Sequence, residues 1–139
     1  MTEHTFDFDF IAQKSDTTDP MICIMIDGVC YSENTSITST NAAAPSTISI
    51  VVDLADGEHT IAVDFMNDDY TDQDYDRNVE WLETRLDGNQ MRWRTMDFDG
   101  VSHTADIDTV ETAGWWKFDI TYEAAASFTF TTPYDWATV

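Results

Sequence analysis

Phe6, Phe8 and Phe10 alternate with Asp7 and Asp9, the period of two that marks a half-buried β-strand. Met21–Ile26 and Val29–Ser32 straddle Asp27-Gly28 as a hairpin. Ser46–Leu54 is rich in β-branched residues. It turns through Ala55-Asp56-Gly57 into His59–Phe65, where Ile61, Val63 and Phe65 share one face and Thr60, Ala62 and Asp64 the other. Asn78–Leu86 turns through Asp87-Gly88 into Gln90–Phe98, and Asp99-Gly100 turns the chain again. Trp115–Tyr122 and Ser127–Thr131 complete the series. About ten short strands at a spacing of roughly 8 to 12 residues, with no helical periodicity, predict an all-β protein. The expected architecture is an antiparallel two-sheet β-sandwich of the jelly-roll kind. Residues 33–45 form a connection of small residues, and no internal repeat is evident.

At 139 residues the chain fits a single domain, residues 1–139, long enough to bury a core. Six Lys and Arg against 27 Asp and Glu give a net charge of −21. That balance repels phosphate backbones and anionic lipid, so neither nucleic acid nor a membrane surface is an expected partner. It favours cations, although most of these carboxylates are expected to form a solvated surface. The opening MTEHTFDFDF lacks a basic region followed by an apolar run, so we expect no signal peptide there, and no apolar stretch approaches membrane-spanning length.

Cys23 and Cys30 flank the Asp27-Gly28 turn. A two-residue turn sets Cys30 opposite Met25 and Cys23 opposite Ser32, which leaves the sulfurs diagonal to one another. We therefore expect two free, mostly buried thiols rather than a bridge.

One stretch departs from ordinary surface acidity. Asn67–Asn78 reads NDDYTDQDYDRN, with five aspartates in twelve residues. Charges so crowded repel one another unless a cation offsets them. Calcium takes six to eight oxygen ligands in flexible geometry, and clustered carboxylates suit it. The spacing is not that of an EF-hand, so such a cage would be assembled by the rim of the sandwich.

In order and spacing, PMICIMIDGV, DGEHTIAVDF, MND and DRNVEWLETRLDG resemble the calcium-dependent xylan-binding carbohydrate-binding modules of families 36 and 60. The resemblance covers about residues 5 to 90 and leaves residues 91–139 as an elaboration or a C-terminal assembly arm. It implies a jelly-roll sandwich with a calcium ion at the rim, held by loop aspartates and main-chain carbonyl and completed by sugar hydroxyls. Carried over by position, Asp76 of the Asp-Arg-Asn match is the first metal ligand and Asp72 its partner from the loop. Tyr75 offers its carbonyl to the metal and its ring to a sugar. Asp68 and Asp69 are further ligand candidates, with Asn67-Asp68 equally suited to capping the loop through side-chain to backbone hydrogen bonds. Arg77 is expected to brace these carboxylates. Glu80, Trp81 and Leu82 depart from the Tyr-Val-Asp common in the family, and Trp81 is expected in the core.

Aromatic rings cover the C–H face of a pyranose while its hydroxyls stay hydrogen-bonded. Tyr70 and Tyr75 stand in the loop suited to this. Trp115 and Trp116 are adjacent, so on a strand one faces inward and the other outward, with Trp116 taken as the outward platform. Trp93 and Trp136 are expected in the core or in contacts. Catalysis has little support: His4, His59 and His103 lack zinc-ligating spacing, and no serine stands in a nucleophile elbow. The expected function is thus calcium-dependent binding of a polysaccharide or cell-surface glycan. The alternative is a bacteriophage virion surface protein, a decoration or fibre component, in which SFTFTTPYDWATV (127–139) pairs with other virion subunits.

Overall fold

The computed structural model describes residues 1–14, 18–32, 35–67, 77–93, 95–104 and 117–134. Its strands are β1 (Thr2–Lys14), β2 (Met21–Ile26), β3 (Val29–Cys30), β4 (Thr35–Ser36), β5 (Ser46–Leu54) and β6 (Gly57–Phe65), followed by β7 (Arg77–Leu86), β8 (Asn89–Gln90), β9 (Thr95–Phe98), β10 (Val101–Thr104), β11 (Phe118–Ile120) and β12 (Ala125–Thr132). One sheet runs β11-β7-β1-β5, with β8 also on β7. The other runs β10-β9-β12-β6-β2-β3, with β4 also on β2. Successive long strands alternate between the sheets and the pairings are antiparallel, which makes the protein the two-sheet β-sandwich that the strand pattern predicts. No helix occurs among the described residues.

The alternation of the sequence becomes the two faces of each sheet. Phe6, Phe8 and Phe10 are fully buried, and each contributes roughly 2 to 3 kcal/mol of apolar burial. Asp7 and Asp9 face the other way. There Asp7 accepts from the Ser49 hydroxyl, while Asp9 accepts from Thr47 and binds Arg85 through two nitrogens at 2.7 and 3.1 Å. In β5, Thr47, Ser49, Val51 and Asp53 are exposed, and Ile48, Ile50, Val52 and Leu54 turn inward. Strand β7 buries Val79 and Trp81 and then changes parity to bury Thr84 and Leu86. A bulge between the Phe8 and Phe10 pairings makes this possible, because an extra residue in β7 shifts its side chains to the opposite face. Trp81 meets Phe128 across the core at 5.6 Å, and Phe6 meets Phe130 at 5.8 Å.

The fold contains an internal repeat that the sequence conceals. In the first sheet, Phe6 pairs with Leu86 and Ile50; in the second, Ile61 pairs with Ile26 and Phe128. Leu86 pairs with Asn89 and Arg85 with Gln90, as Ile26 does with Val29 and Met25 with Cys30. The order β1, β2, β3, β5 is therefore repeated as β6, β7, β8, β12, with β2 and β7 exchanged between the halves. Each half contributes one Glu-His-Thr and one Asp-Gly turn to a matching pair of corners. Asp27-Gly28 and Asp87-Gly88 both have positive φ at their two residues, the condition for a hairpin turn that follows the strand twist.

Residues 125–132 form β12, which lies between β6 and β9 with its Ala126, Phe128 and Phe130 buried in the core. One expectation is corrected here. Cys23 and Cys30 are joined in a disulfide rather than free. Strand β3 ends at Cys30, and the following bend brings the Tyr31 N–H to the Ile24 carbonyl at 2.9 Å. The Cα–Cα separation is 6.0 Å, inside the range a bridge needs.

Candidate functional site

The sandwich has two dissimilar ends. One collects the last residues of β6, the first of β7, and the chain joining β11 to β12. The sequence candidates Asp68, Asp69, Tyr70, Asp72, Tyr75 and Asp76 leave from this end, and together with Trp116 they lie outside the described residues. The feet of their loop are described. The Asn67 side chain accepts the Met21 N–H at 2.6 Å and donates to the Asp19 carbonyl at 3.1 Å, while the Met66 N–H reaches the Met21 carbonyl. Asn67 thus makes the expected side-chain to backbone bonds, but with the connection ahead of β2. At the other foot, Arg77 pairs with Lys14 at the end of β1. On the outer face beside this loop, burial and then the charge of Glu123 raise the pKa of Asp64. Among the described residues, no three acidic, histidine or cysteine side chains gather as metal ligands.

An aromatic groove opens beside the same end. The hairpin of β9 and β10 closes through Asp99-Gly100 and faces β11 and the chain after it, across a space of about 420 Å³. Phe98 stands 4.7 Å from Tyr122 and 5.6 Å from Phe118, and His103 lies 5.3 Å from Phe118. The four rings form a continuous strip. Tyr122 is 42% exposed and donates its hydroxyl to Asp99 at 3.1 Å, which fixes its ring beside a carboxylate. Asp119 lines the groove as well. Two residues beyond Tyr122, the Ala124 carbonyl accepts the Phe65 N–H, so the groove lies near the end of β6 from which the acidic loop departs. Sequence reasoning placed Phe98, Phe118 and Tyr122 in strands without assigning them a role. The Asp99-Gly100 turn was visible, but the meeting of β9–β10 with β11 joins the edges of different sheets and leaves no local signal.

The opposite end carries the repeated corners. The Asp27 carboxylate accepts the Thr60 N–H at 2.9 Å and His59 Nδ1 at 2.6 Å; Asp87 accepts the Thr5 N–H at 2.9 Å and His4 Nδ1 at 2.7 Å. His59 Nε2 also faces the Ala55 carbonyl at 2.6 Å. A carbonyl and a carboxylate only accept, so both ring nitrogens of His59 face acceptors, an arrangement that favours the imidazolium. Burial opposes that charge, but the Ala55 and Asp27 acceptors outweigh it and raise the pKa of His59. Burial likewise opposes ionisation of Asp27 and Asp87. Their bonds to the Thr N–H groups and to the His rings prevail and lower both. With each carboxylate bound to a Thr N–H and a His ring, these corners read as structural clamps. Compared with models of known families, with curated proteins and with solved structures, the chain matches none.

Proposed function

We propose that this protein is a calcium-dependent carbohydrate-binding module that engages a polysaccharide at the end of the sandwich where the acidic loop and the aromatic groove lie near one another. The observation that carries the proposal is this adjacency: a groove exposing the rings of Tyr122 and His103 lies near the feet of a loop with five aspartates. Asp76, Asp72, Asp68 and Asp69, with the carbonyl of Tyr75, supply the hard oxygen donors that calcium prefers. Asp64 and Glu123 add negative potential at the loop's foot, in the sense that attracts a cation. Bound calcium would neutralise the loop and offer open coordination to sugar hydroxyls. Tyr70, Tyr75 and Trp116 remain the proposed stacking residues. The second reading, a bacteriophage virion surface protein, would set 127–139 against other subunits, and of that segment Ser127–Thr132 pairs with β6 of the same chain.

Melting in millimolar calcium and in chelator tests the metal. A ligand bound only by the folded state adds about 2.7 kcal/mol at a hundredfold excess over Kd, which separates the curves by several degrees. Calorimetry with xylan and other glycans tests the sugar, and Asp76→Ala is expected to abolish metal and calcium-dependent glycan binding together. Coincident melting curves in protein shown to be metal-free in chelator would rule out the calcium.

A further inference from the structure

We infer that the groove formed by Phe98, His103, Phe118, Asp119 and Tyr122 is a subsite for sugar residues bearing a protonated amine, so that the preferred glycan carries free amino groups. This rests on the carbohydrate reading above, but not on calcium.

The groove belongs to the part of the chain that the repeated frame does not require. The first half joins β3 to β5 with residues 31–45, whereas the second joins β8 to β12 with residues 91–124 and places β9, β10 and β11 there. Its exposed surface is apolar at Val101, 55% exposed, and at Tyr122. Phe98 is buried beneath the groove, Phe118 is half-buried, and Tyr122 and His103 are exposed, so the ring faces open to a pyranose C–H face are those of Tyr122 and His103. The volume, about 420 Å³, is that of a small-ligand site.

Charge then selects among glycans. Asp119 lines the edge of the groove and is exposed; opposite Glu80, it lies on the same face of β11 as Lys117 and has no side-chain partner among the described residues. Asp99 engages Tyr122 through one oxygen and keeps the other, and Glu123 follows Tyr122 in the chain. Among the described residues, no Lys or Arg lines the groove. The nearest in sequence, Lys117, is committed to the buried Glu80 on the outer face of its sheet. In a protein of net charge −21, uronates and sulfated sugars are repelled. An ammonium gains twice, from the carboxylates and from the electron-rich ring faces.

The test is calorimetry in chelator, at a pH where the amines are protonated, with a glucosamine tetramer, its N-acetylated counterpart and tetralysine. The glucosamine tetramer is expected to bind at least about tenfold more tightly than either of the others, about 1.4 kcal/mol. Tyr122→Ala is expected to remove that binding, Tyr122→Phe to keep it, and Asp119→Asn to narrow the preference. Asp53→Asn, an exposed acid on β5, measures diffuse attraction; a loss equal to that of Asp119→Asn overturns the proposal. So does tetralysine binding as tightly as the amino sugar, or undiminished binding by Tyr122→Ala. Equal binding of the acetylated tetramer overturns the amine preference and leaves the carbohydrate reading standing. No binding of any glycan, in calcium or in chelator, overturns both.

Discussion

In the first half of the sandwich, residues 15–20 join β1 to β2 and residues 31–45 join β3 to β5. In the second half the corresponding connections are residues 66–76 and 91–124. The strands between them keep the same pairings and the same Asp-Gly corners. One frame is thus used twice, once with short connections and once with long ones, and the long ones hold both the acidic loop and the aromatic groove. A sandwich whose stability comes from paired strands and clamped corners can accept such insertions, because lengthening a surface connection costs little once its ends are fixed.

The largest expected effect separates frame from insertion. Trp81→Ala removes a ring packed between Phe8, Phe10 and Phe128 and should cost about 3 to 5 kcal/mol in urea denaturation. Tyr122→Ala, in the insertion, should cost within about 1 kcal/mol. Comparable losses would mean that the groove is core, and the division between halves would fail.

Next in size is the disulfide, which the first half has and the second lacks: Glu83 and Gln90 occupy the matching positions. Cys23→Ser with Cys30→Ser should lower stability by about 2 kcal/mol, as expected for release of a short closed loop. No change would show that the hairpin is already held by its turn, as the second half's must be.

The corners sharpen the comparison because they are matched. Asp27→Asn and Asp87→Asn keep an acceptor for the Thr N–H but lose the charge facing the histidine. Each should cost roughly 1 kcal/mol, the lower part of the range for charged hydrogen bonds, since both carboxylates are nearly half exposed. Unequal losses would show that the geometric repeat is not an energetic one.

The smallest effect is a pH dependence with a different limb on each side. His59, with its raised pKa, stabilises fully below about 6.5, and this contribution is lost as pH rises through the raised value. Asp27 and Asp87, both lowered, stabilise above the ordinary aspartate value and lose that contribution as pH falls through their own. Melting temperatures should therefore decline gently on the alkaline side, and His59→Gln should flatten that limb. A limb that persists in His59→Gln would place its origin elsewhere.

Periodicity and turn chemistry were enough to place most strands. β2 and β5 have the limits expected from their residues, and Asp-Gly at 27, 87 and 99 marks a hairpin each time, because only a few residue types accept positive φ at both turn positions. Trp81 and Trp93 are buried as expected. These features depend on neighbours in the chain, so composition and spacing determine them.

Features that depend on distant residues were decided only by tertiary structure. The Cys23–Cys30 bridge joins a diagonal pair, with Cys30 opposite Met25 as the turn implies, and only the folded hairpin sets its Cα–Cα distance at 6.0 Å. The parity change of β7 required a bulge opposite β1. The repeat escaped notice because its halves share little beyond Glu-His-Thr and Asp-Gly, and connections of unequal length put a different offset between each pair of strands. The groove arises where edges of two sheets meet, and the chemistry of Phe98, Phe118 and Tyr122 becomes a surface only there. Local preference selects a strand and its turns. Which strands become neighbours is settled by burying one shared core, and no single segment encodes that choice.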